Sequence, residues 1–174
     1  MDQYKRLFMG LFLLIGVAGS FILYLSWPLL TGKTLILATR PVDPFDILRG
    51  QYIIINYEIS TIPSIEGAKE KSNVYVLLKE EKSGDNKIWR YKNAFLNKPK
   101  NGDFIKGNIK SIYGDSMSIE YGTEQFFFER NAEFVTANMT VEVKVDNSGQ
   151  ARIVELLMNG KSLNITYKKP TLTS

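Results

Sequence analysis

Neither cysteine nor histidine occurs among the 174 residues. Thiol nucleophiles, disulfide frameworks, Cys/His zinc sites, haem ligation and histidine-based triads are thereby excluded together. Any chemistry would have to run on carboxylates, lysines or hydroxyls, and the reading expects no cofactor, no metal and no catalytic set. Proline is scarce, at 6 residues, and no collagen-like or proline-rich repeat is present. A strong excess of one charge is missing too. The net charge is +4, and Lys5 and Arg6 near the N-terminus supply part of it, so the body is nearly neutral. That balance argues against a nucleic-acid partner.

What is present first is a long apolar run. Residues 7–32 carry no charge and begin LFMGLFLLIGVAGSFILYLSWPLL. At about 1.5 Å per residue, about 20 such residues cross the roughly 30 Å hydrocarbon layer, so the run reads as a membrane span with the bilayer as its partner. Lys5 and Arg6 hold the N-terminus in the cytoplasm under the positive-inside bias, which places the remainder outside it. Tyr24 and Trp27 suit the far interface, and Pro28 follows them. A cleaved signal peptide is the competing reading, because Ala18, Gly19 and Ser20 offer small residues at a cleavage position. Against it, apolar residues resume at Phe21 and continue to Leu30.

From Thr34 the pattern shifts to period two, in short runs split by turn chemistry. Strands are predicted over 34–39, 52–59, 73–79, 89–96, 104–112, 116–121, 139–145 and 151–158. In the clearest of them Val141, Val143 and Val145 share one face, while Glu142 and Lys144 share the other. Turns are expected at Ser83-Gly84-Asp85, Asn101-Gly102-Asp103, Tyr113-Gly114-Asp115, Asp146 to Gly149 and Asn159-Gly160. Thr123 reads as a helix cap with Glu124 in the first turn, and Phe127, Arg130 and Phe134 follow at helical spacing. The expected class is mainly β: a transmembrane helix, then an antiparallel sandwich or partly open barrel with one or two short helices. The division is a cytoplasmic tip and span over 1–33, a β-rich body over 34–167 and a flexible tail over 168–174.

The most informative stretch is ATRPVDPFDILRGQYIIINYEIS. Asp43, Pro44, Asp46 and Gly50 describe a single helical turn with a cap, a proline at its first position and a glycine exit. The strand that follows sets Tyr52, Ile54 and Asn56 against Ile53, Ile55 and Tyr57, and reads as a central strand with few solvent positions. The run Gly50-Gln51-Tyr52-Ile53-Ile54-Ile55-Asn56-Tyr57 resembles the motif that names the GDYXXLXY family of bacterial membrane-anchored proteins. Gln51 stands where that family has aspartate, which removes a carboxylate, and Ile55 stands where it has leucine. YGTEQFFF, from Tyr121 to Phe128, is similar to the family's second signature, and residues 141–161 to its closing hairpins. Glu129-Arg130-Asn131 departs from the expected proline-glutamate-glycine turn. The resemblance implies a single span, an extracytoplasmic β-rich domain and a polytopic membrane protein as partner. It supplies no reaction.

Candidate binding residues are Arg40, Asp43, Asp46, Arg49, Tyr52, Tyr57, Tyr121 and Glu124. Asp43, Asp46 and Glu124 could serve a carboxylate-based hydrolase if brought within about 6 Å of one another. The plainer reading makes them helix-end carboxylates paired with Arg40 and Arg49, and makes the tyrosines half-buried core residues. A serine–lysine peptidase is set aside, because no serine lies between Trp27 and Tyr57. Phe126, Phe127 and Phe128 cannot all face the interior of one thin element, so at least one is expected on a partner surface or against the membrane interface, with packing under an adjacent loop as the alternative. The reading is therefore a membrane-anchored binding or accessory module, with the hydrolase as its alternative.

Overall fold

The computed structural model describes residues 3–40, 52–83, 86–127, 132–133, 139–163 and 166–167. Helix α1 runs Gln3–Thr31 and carries the whole apolar run. Its side chains are exposed almost throughout, and Gln3–Trp27 is long and apolar enough to cross a bilayer. A single N-terminal helix of this kind, with nothing packed around most of it, is a membrane anchor in its length and composition.

The body is mainly β, as expected. Strands β1 (Lys33–Ala38), β2 (Tyr52–Ile54), β3 (Thr61–Pro63), β4 (Asn73–Ser83), β5 (Asn86–Phe95), β6 (Phe104–Tyr113) and β7 (Ser116–Glu120) come first. They are followed by β8 (Gln125–Phe127), β9 (Ala132–Glu133), β10 (Met139–Val145), β11 (Ala151–Met158), β12 (Lys161–Ser162) and β13 (Thr166–Tyr167). One nine-stranded sheet has the order β12-β11-β10-β1-β5-β4-β6-β7-β3, and β2-β8 and β9-β13 form separate ribbons. Its pairs are antiparallel except β1 with β5, so the sheet is mixed.

The sheet curls. Strands β10 and β6 stand four spacings apart, about 19 Å in a flat sheet at about 4.8 Å per step. Yet the Lys106 N–H at the start of β6 donates to Gly149 O in the β10–β11 turn at 2.8 Å. Gly149 has φ +88°, and a Cβ there would stand 2.9 Å from the Phe104 ring and 3.0 Å from the Lys106 nitrogen. Glycine is therefore required twice over, for conformation and for closeness. Among the described residues the edge strands β12 and β3 do not pair with each other, so the curl stays open. Of the two expected forms, sandwich and partly open barrel, this single bent and open sheet corresponds to the second.

One core fills the curve. Leu35, Leu37, Val74, Val76, Ile105, Ile109, Val141 and Val143 are fully buried within it, and Ile53, Ile55 and Tyr57 close it from outside the main sheet. Strand β10 alternates buried with partly exposed at every residue, as its valines dictate.

Three sequence expectations are corrected. The helix over Thr123 to Phe134 is instead strand β8 at Gln125–Phe127 and strand β9 at Ala132–Glu133. The strand expected over 52–59 stops at Ile54, and Glu58–Ser60 is a 3₁₀ turn. Ile54 and Asn56 are exposed, so this is a peripheral ribbon with one wet face and not a central strand. The helical turn expected at Asp43 to Gly50 lies outside the described residues.

Candidate functional site

Strand β2 carries the centre of the first signature and β8 the centre of the second, and the two pair directly. Tyr52 stands opposite Phe127, Ile53 opposite Phe126 and Ile54 opposite Gln125. The Ile55 N–H extends the ladder to Glu124 O at 2.6 Å. On the other side Thr39 bridges Tyr57, and the Arg40 N–H donates to Asn56 O at 2.8 Å. The motif is thus held between the end of β1 and β8.

Beyond the ladder, two tyrosines clasp the signatures reciprocally. Tyr57 is fully buried and donates its hydroxyl to Thr123 O at 2.8 Å. Tyr121, also buried, donates its hydroxyl to Ile59 O at 2.7 Å. Tyr57 so anchors the backbone of the second signature, and Tyr121 the backbone two residues beyond the first. Their rings meet edge to face, with centroids 6.2 Å apart and planes at 88°, a geometry worth about 0.5–1.5 kcal/mol beyond area burial.

Glu124 folds back on its own turn. Its carboxylate accepts the Tyr121 N–H in a short bond and the Gly122 N–H at 2.9 Å. Gly122 sits at φ +77°, which lets the turn present both amides to one carboxylate. The buried Thr123 hydroxyl has no hydrogen-bond partner among the described residues.

These contacts decide the chemistry of the described residues. Burial pushes the Tyr57 phenol far above its ordinary range, with Thr123 countering in part and the Glu124 carboxylate adding to the rise. Burial does the same to Tyr121, followed by the negative charge of Glu124. Both phenols stay neutral and spend their protons on backbone carbonyls, so they act as tethers. Glu124 directs its charge at two amides rather than at a reacting group. No group of three or more acidic side chains suited to a metal ion occurs among the described residues.

Of the sequence candidates, Tyr57, Tyr121 and Glu124 converge, Tyr52 enters the same ribbon through its backbone, and Arg40 is exposed beside it. Asp43, Asp46, Arg49 and Phe128 lie outside the described residues. The aromatic triplet divides as a strand must: Phe126 packs on the core, and Phe127 points outward at 68% exposure. Ile54 joins Phe127 on the outer face at 48% exposure. Sequence reasoning missed the two acceptors, Thr123 O and Ile59 O, since a main-chain carbonyl leaves no mark in the residue types. The family model described as GDYXXLXY protein matches residues 14–156. No curated protein and no solved structure matches the chain.

Proposed function

We propose that this chain, which belongs to the GDYXXLXY family, is an extracytoplasmic binding or accessory module that scaffolds a polytopic membrane protein. The observation that carries this reading is the use made of the signature residues. Tyr57, Tyr121 and Glu124 are all spent on main-chain groups, which builds a rigid platform and leaves none of these three to act as nucleophile or base. The platform shows an apolar face at Ile54 and Phe127, with Arg40 at its rim. Tethering by α1 confines the domain near the bilayer and raises its effective concentration for a membrane neighbour, so a modest interface suffices. The N-terminus lies in the cytoplasm and the β-rich body outside, following Lys5 and Arg6.

The test is purification of the full chain from membranes in mild detergent, with identification of co-eluting polytopic proteins. Phe127→Ser combined with Arg40→Ala is expected to abolish co-elution while the melting temperature holds. Co-elution that survives both substitutions would contradict the assignment of this face.

A further inference from the structure

A second feature lies where the helix meets the sheet. A cleft of about 810 Å³ opens between Ser20, Leu23, Tyr24 and Trp27 of α1 and a sheet wall that includes Lys106 and Arg152. Its helical wall is apolar and its sheet wall is cationic. The bond between Lys106 N–H and Gly149 O holds the start of β6 against the β10–β11 turn, and Lys106 and Arg152 line the same cleft.

The charges here are unbalanced. Asp146 also lines the cleft, but its Oδ1 is taken by its own turn, accepting from the Ser148 N–H at 2.8 Å, the Ser148 hydroxyl at 2.6 Å and the Gln150 N–H at 2.9 Å. Among the described residues neither Lys106 nor Arg152 forms an ion pair, and the guanidinium contacts only the neighbouring Ala151 carbonyl at 3.3 Å. Arg152 also stands directly opposite Lys144 in the β10–β11 ladder. Like charges placed so cost stability unless an anion lies between them.

Depth supplies the rest. Counted from Leu7, about 20 residues cross the hydrocarbon layer and end at Trp27. The cleft is lined by the helix from Ser20 to Trp27, so it extends from about 10 Å below that boundary up to headgroup level, with Tyr24 and Trp27 where interfacial aromatics sit. We infer that this cleft binds the phosphate headgroup of an anionic phospholipid, acyl chains against α1 and phosphate on Lys106 and Arg152. The inference needs the membrane anchor but no protein partner.

The experiment uses the full chain in a neutral detergent, titrated with phosphatidylglycerol and read by thermal stabilisation and by lipid retained in native mass spectrometry. Wild type is expected to retain phosphatidylglycerol, with affinity falling as salt rises. Lys106→Gln with Arg152→Gln should weaken binding roughly thirtyfold, as expected for two lost surface cations. Lys87→Gln, which removes a lysine paired with Glu80 outside the cleft, should change nothing. The unliganded melting temperature of each variant reports its folding. Equal retention by the double variant, or equal stabilisation by phosphatidylcholine or by inorganic phosphate at the same concentration, would overturn the assignment.

Discussion

Replacing Glu124 by alanine removes the acceptor for two amides at once, those of Tyr121 and Gly122. A hydrogen bond to a charged group contributes about 1.5–3 kcal/mol. Two such bonds do not add fully here, because the Gly122 amide is exposed and water replaces the lost partner, whereas the Tyr121 amide is partly buried. The expected loss is therefore about 2 kcal/mol, a drop of roughly 4–8 °C in melting temperature for a chain of this size. Glu124→Gln keeps an acceptor oxygen without its charge and should fall about midway. The assay is thermal unfolding of the full chain in detergent, followed by circular dichroism of the β signal. The account requires the order wild type, then glutamine, then alanine. If alanine melts with the parent, Glu124 is not holding the turn, and its carboxylate becomes available for chemistry after all.

Alkaline pH should unfold the domain through its buried phenols. Tyr57 and Tyr121 have folded-state pKa values raised above about 10, so their contribution is complete below that pH and is lost as pH rises beyond it. Ultraviolet titration should show two tyrosines ionising only as the β signal disappears, and both ionising in the folded chain would refute this. Gly107→Ala should cost about 1–3 kcal/mol, since its Cβ would stand 2.4 Å from Ile119 Cγ2 and 3.0 Å from both Glu120 O and the Tyr121 ring. A denaturant titration in which that variant matches the parent would show that β6 and β7 have room to separate.

Much of this architecture could be read from the residues, and the failures have physical causes. Strands β10 and β11 matched their expected bounds because β10 alternates strictly and a turn-forming Asp146 to Gly149 separates the two. The strands expected over 73–79 and 89–96 leave out most of the charged segment KEEKSGDNK. In the structure β4 and β5 run on through it to Ser83 and from Asn86, with Glu80 pairing Lys87 and Glu81 pairing Arg90 across the ladder. Strands of two or three residues, such as β3 and β12, are too short for any period to show. The helix expected after Thr123 failed instructively. An acid near backbone amides does what a helix cap does, but Glu124 reaches back to Tyr121 and Gly122 rather than forward, and a strand follows. Phe126 and Phe127 then take opposite faces of a strand, which a helix reading could not accommodate. Tyr57 and Tyr121 were expected as half-buried core residues with bonded hydroxyls. They are fully buried, and their pairing across 64 positions is tertiary information that no local pattern carries.

The central claim is that α1 stays in the bilayer and carries the curled sheet on it. Alkaline extraction of membranes containing the full chain, with the mass of the recovered polypeptide, tests it directly. The account predicts that the chain remains in the membrane pellet with the Leu7 to Leu30 segment intact. A polypeptide released to the supernatant and beginning near Ser20 would contradict it.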